Sequence, residues 1–149
     1  MTIRSLDARD AEPLASFLAA LRPRDLLDRF HAPSRAAAEW LLGELTAFGD
    51  HGALVTVDDA GTLVGLLDYA PCGEDAELGI VVVAPRRRLG LGTALTAASL
   101  TLLEARGVRA AHAFVRRDNR PALRILSRLR FARTGSDGSV LTYVRRLAE

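Results

Sequence analysis

Lysine is missing altogether: every one of the 20 basic side chains is arginine. That absence excludes the Walker phosphate loop, whose Gly-Lys-Ser/Thr needs an ammonium beside its glycines. Cysteine is reduced to Cys72, so no internal disulfide framework exists and a reducing, cytoplasmic setting is expected. No run approaches the ~20 apolar residues that span a bilayer, and the opening MTIRSLDARD lacks an apolar signal core; neither membrane insertion nor export is expected. The histidines 31, 51 and 112 are too scattered for metal-ligand spacing, so no metal is expected. Aromatics make up 5 % of the chain and do not interleave with its basic residues, which argues against a nucleic-acid partner.

What is present fits one domain over residues 1–149, with 49 % apolar and 26 % charged residues. The net charge of +2 conceals a balance of −8 over residues 1–85 and +10 over residues 86–149. The spacing predicts an edge strand at Thr2–Leu6, then a helix capped by Asp7 or Asp10 and carrying Leu14, Phe17, Leu18 and Leu21. Ser34 caps a second helix running to about Phe48, with Ala37, Trp40, Leu41, Leu45 and Phe48 as its core stripe. Ala53–Val57 and Leu63–Tyr69 form a hairpin, Ala70–Asp75 a loop, and Ala76–Val83 a strand ended by Pro85. A helix over Leu91–Arg106 follows, with Ala94, Leu95, Ala98, Leu102 and Leu103 inward and Gly107 as its stop. The chain closes with a strand at Arg109–Val115, a helix from Asn119 or Arg120, and a strand at Val140–Arg145, an α+β order.

The chemistry concentrates at the strand–loop–helix junction Val81–Thr93. Free N–H groups at a helix start and the helix dipole favour an anion there. Gly90 and Gly92 are expected to let that backbone approach phosphates, with Arg86–Arg88 at the rim. A dinucleotide fingerprint needs a third glycine and an acid on the following strand, and neither occurs.

Arg87-Arg-Leu-Gly90-Leu-Gly92 after Pro85, with Asn119-x-x-Ala122 and Leu129-Arg130-Phe131 downstream, resembles the GNAT acetyltransferase superfamily across the whole chain. The resemblance implies a mixed, mostly antiparallel central sheet with a splayed parallel strand pair (Ala76–Val83 and Arg109–Val115), flanked by helices. It implies acetyl-CoA as co-substrate. Val81 and Val83 would pair with pantetheine, and an amide near Val82 would polarise the thioester carbonyl. The amides of Arg87, Arg88, Leu89, Gly90, Leu91, Gly92 and Thr93 would hold the pyrophosphate, and Asn119 would touch the cofactor from the far side. Two residues depart from the family pattern: Arg130 replaces a glycine, and Leu126 stands where many members carry a tyrosine acid.

Amine acylation needs a base, because a free lysine amine has a pKa of about 10.4. Glu77 starts the strand leading to the phosphate loop and is the expected catalytic base; an ion-paired sheet-edge glutamate is the bland alternative. Glu74, Asp75 and Asp68 are nearby acids of a solvated loop or an acceptor contact. Arg24-Asp-Leu-Leu-Asp-Arg29-Phe30 and Ala76-Glu77-Leu-Gly-Ile-Val-Val resemble the bacterial Pat-type protein lysine acetyltransferases, which implies Glu77 as base and a protein lysine as acceptor. Lacking lysine, such an enzyme could not modify its own side-chain amines. A small-molecule amine acetyltransferase and a non-catalytic acyl-CoA-binding module are the alternatives. Tyr69 or Tyr143 could replace the missing tyrosine, although strand packing is the plainer role for each. Arg120, Arg124 and Arg128 share a helix face that is either solvated or in reach of a cofactor 3′-phosphate.

Overall fold

The computed structural model describes residues 1–83 and 90–147. Seven strands form one sheet in the order β1-β2-β3-β4-β5-β7-β6. They are β1 (Thr2–Ser5), β2 (Gly52–Val57), β3 (Leu63–Cys72), β4 (Asp75–Val82), β5 (Ala110–Arg116), β6 (Ala132–Asp137) and β7 (Val140–Arg146). Every pairing is antiparallel except β4 with β5. Helices α1 (Ala11–Ala19), α2 (Pro23–Phe30) and α3 (Arg35–Thr46) pack on one face, and α4 (Leu91–Ala105) and α5 (Arg120–Arg128) on the other. Among the described residues no helix is long and apolar enough to cross a membrane.

Strand alternation divides the core in two. Ala53, Val55, Leu66 and Val81 point to Leu14, Leu18, Leu26, Leu41 and Leu45 of the first three helices. Leu67, Leu78, Ala111, Ala113 and Val115 point to Leu95, Leu100, Leu103 and Leu126. Each fully buried leucine contributes roughly 1.5–3 kcal/mol by leaving water.

Local chemistry sets the helix ends. Asp7 caps a short 3-10 turn by accepting from Arg9 N, and Asp10 turns inward to Arg4 at 2.7 Å. Pro23 opens α2, whose missing N–H would have been an orphan in any case. Ser34 Oγ accepts from Ala37 N at 3.2 Å and starts α3.

Four expectations need correction. The buried stripe of α3 is Ala38, Leu41 and Leu45, whereas Trp40 and Phe48 are 57 % and 47 % exposed. Ala94 is exposed, and α4 buries Leu91, Gly92, Leu95, Thr96, Ser99, Leu100 and Leu103 instead. Ala70–Asp75 is not a loop, because β3 runs on to Cys72 and reverses directly into Asp75. The polar, exposed β6 was not anticipated; it pairs with β7 at the sheet edge. Arg130 adopts the left-handed conformation, φ 64°, that a glycine would supply more cheaply.

Candidate active site

β4 and β5 pair only at Ala76–Ala111, Glu77–His112 and Leu78–Ala113. Beyond Leu78 and Ala113 the two strands no longer pair with each other, so a seam opens in the middle of the sheet. A cavity of about 70 Å³ passes through it. On the α2 side it is bounded by Arg29, His31, Glu77, Gly79 and Phe114, and on the α4–α5 side by Leu78, Ile80, Thr96, Ala113 and Leu126.

This cavity shares Asp28, Ile80, Asn119, Ala122 and Ile125 with a larger groove of about 610 Å³. Val81, Val82, Gly90, Leu91, Gly92, Thr93 and Asn119 all line that groove. Arg87, Arg88 and Leu89 lie outside the described residues. Among the described residues the start of α4 has no side-chain cap, and its first turn borders the groove.

Each of the two glycines also has a role within the fold. Gly90 has φ 76° and open space where a β-carbon would stand, so it is needed for its backbone conformation. At Gly92 a β-carbon would lie 2.7 Å from Ile125 Cδ1, so its absence lets α5 pack against α4.

Hydrogen-bond direction also corrects which valines can receive a ligand. Val83 N donates to Val64 O at 3.0 Å, so that amide is used within the sheet. By alternation Val81 also faces β3, and the backbone groups turned toward the seam are those of Ile80 and Val82. Asn119 lines both spaces, and its Oδ1 accepts from Ala122 N at 3.4 Å as the cap of α5.

Glu77 sits at the middle of the three paired steps, exposed, on the face carrying Gly79 and Val81. Its neighbour across the seam, His112, donates from Nε2 to Asp75 Oδ2 at 2.7 Å. The end of α2 spans the opening. Arg29 lies where a β-carbon on Gly79 would stand, and His31 Nε2 donates to Phe114 O on β5 at 3.1 Å. Arg29 is held by buried Asp68, which accepts from its Nε at 3.1 Å and its Nη2 at 2.7 Å. His51 donates to the same carboxylate at 2.8 Å, and that bond raises the histidine's pKa above its usual value.

The remaining acids and tyrosines are placed elsewhere. Asp68 is structural, and Glu74 pairs with Arg109 at 3.1 Å. Tyr69 is buried on the α4 face, with its hydroxyl accepting from Arg106 at 3.1 Å, and Tyr143 packs in the same cluster. Neither borders the cavity, where Leu126 occupies the expected tyrosine position. Cys72 is exposed at the tip of β3. Sequence reasoning missed the roles of Arg29, His31 and Phe114; Arg29 stood inside a recognised stretch, but its partner lies 39 residues away.

An open strand seam bordered by an acid thus runs into a groove at the start of a helix. The chain belongs to the Acetyltransferase (GNAT) family, whose sequence profile matches residues 16–131. A mycothiol acetyltransferase of Actinosynnema mirum is 39 % identical over 92 residues, covering 60 % of this chain and 31 % of that protein. The chain thus spans about a third of that relative's length. The fold is also that of the GNAT domain of S. lividans PAT: TM-score 0.83, 19 % identity, 97 % of this chain and 89 % of that one. A phosphinothricin acetyltransferase of Sinorhizobium meliloti, solved with acetyl-CoA, has TM-score 0.78 and 18 % identity over 99 % of this chain and 88 % of that one.

Proposed function

We propose that the chain transfers the acetyl group of acetyl-CoA to a primary amine, with Glu77 as general base. The observation carrying this is the position of Glu77 one residue before the last β4–β5 pair, bordering the cavity that joins the α2 face to the groove. Pantetheine would take the place of strand pairing along Ile80 and Val82, and an amide of that edge would donate to the thioester oxygen as charge develops there. The amine nitrogen attacks the carbonyl carbon, Glu77 removes its proton directly or through water, and the carbon–sulfur bond breaks. A thiolate leaves without strong need of an acid, which fits Leu126 in place of a tyrosine.

The acceptor enters from the α2 face, where the exposed Glu77 favours a cationic group. A protein lysine is the acceptor favoured by the likeness of the Arg24–Phe30 and Ala76–Val82 segments to Pat-type enzymes. A small-molecule acceptor is favoured by the mycothiol acetyltransferase relative. Thiol release measured with proteins and then with small amines separates the two, and no turnover with either would leave only acyl-CoA binding. Glu77→Gln should lower kcat by roughly 10²–10⁴ with CoA affinity nearly unchanged. Full activity in that variant would remove Glu77 as the base.

A further inference from the structure

Two arginines that line the groove, Arg124 and Arg128, have no part in the acyl transfer described above. Helix α5 reads RPALRILSR, with Arg120, Arg124 and Arg128 four residues apart and no acid among them. Like charges at that spacing disfavour the helix. Several other arginines are neutralised: Arg4 by Asp10, Arg24 by Asp28 and Asp118, Arg29 by Asp68, Arg116 by Asp118. Arg124 and Arg128 have no ion pair or hydrogen bond among the described residues, yet both line the groove, whereas Arg120 does not.

Their placement follows from Ile125, which lies between them in sequence and packs where Gly92 lacks a β-carbon. Arg124 and Arg128 therefore border the same groove as Gly90–Thr93 at the start of α4. The carboxylates bordering the same groove are already engaged. Asp118 is held by Arg24 and Arg116, Asp28 by Arg24, and Asp25 accepts from Arg22 N at 3.0 Å. What the wall offers is a pair of forked cations matched to a doubly charged phosphomonoester with three acceptor oxygens.

We propose that Arg124 and Arg128 form the subsite for the 3′-phosphate of coenzyme A, so that the chain distinguishes CoA from its 3′-dephospho form. The inference rests on CoA as the donor that occupies this groove. The test is titration calorimetry of the whole chain at low salt with CoA and with 3′-dephospho-CoA, on wild type, on R124A/R128A and on R120A. Wild type should bind CoA about tenfold more tightly than the dephospho form. The double variant should bring that ratio close to one while its affinity for dephospho-CoA stays constant, and R120A should behave as wild type. Equal binding of the two ligands by wild type overturns the subsite alone. An equal weakening of both ligands in R124A/R128A also overturns it, by assigning the arginines to the pyrophosphate. Binding of neither ligand by a folded wild type, checked by its thermal transition, would instead refute CoA as the donor.

Discussion

Replacing Asp68 with alanine tests whether the acceptor face is built on a buried charge cluster. The Asp68 side chain is 4 % exposed and serves two cations, the Arg29 guanidinium (16 % exposed) and the His51 ring (10 % exposed). Removing one partner of a buried pair costs roughly 3–5 kcal/mol, chiefly because the other charge stays buried and unmatched. Arg29 retains some contact with water and His51 can lose its proton, so the lower end applies, about 3 kcal/mol. For a chain of this size that lowers Tm by roughly 6–12 °C. Thermal unfolding followed by circular dichroism measures it, and a fall of less than about 2 °C would refute the reasoning. The same cluster gives stability a pH signature. The Asp68 bond holds the pKa of His51 above 6.5, supported by Glu44 and opposed by burial and Arg29. A raised folded-state pKa means that this stabilisation is complete below pH 6.5 and fades as pH climbs through the folded value. His51→Gln should abolish that slope.

Arg130→Gly should raise stability by about 1 kcal/mol, or roughly 2–4 °C in Tm, by removing the β-carbon penalty of a left-handed residue; a lowered Tm would contradict it. At acid pH the hydrogen bond from Arg4 and the backbone bond from Asp7 keep the pKa of Asp10 below 3.8 despite burial. That contribution is present above pH 3.8 and is lost as pH falls through the lowered value, so Arg4→Ala should flatten the acid limb of the stability curve. Trp40→Ala should change stability by no more than about 0.5 kcal/mol, because the ring is exposed; a loss of several would restore it to the core.

Elements with local punctuation were legible in the sequence to within a residue or two. Ser34, Gly107 and Pro121 each sit at the helix boundary their chemistry implies. Strand β6 carries no apolar alternation, being an edge strand held by β7 alone, and so gave no signal. Trp40 was misplaced because a short helix rich in alanine and leucine admits more than one apolar stripe, and packing against α1 selects Ala38, Leu41 and Leu45. At the site, Glu77 and the groove at Gly90–Thr93 followed from local pattern. Which valine faces the seam depends on the hydrogen-bond phase between β3 and β4, and the partners of Arg29 depend on contacts across the chain. Neither is written in any short window.

The seam between β4 and β5 gives the sheet two interior edges, a feature that elsewhere invites one chain to pair with another. Here each edge faces its counterpart, and the end of α2 closes one side through Arg29 on β4 and His31 on β5. Foreign strands are denied the length and flatness they need, while a slender ligand arm can still enter from the groove. The fold thus parts two neighbouring strands inside one sheet and covers the gap on one side with the end of a helix.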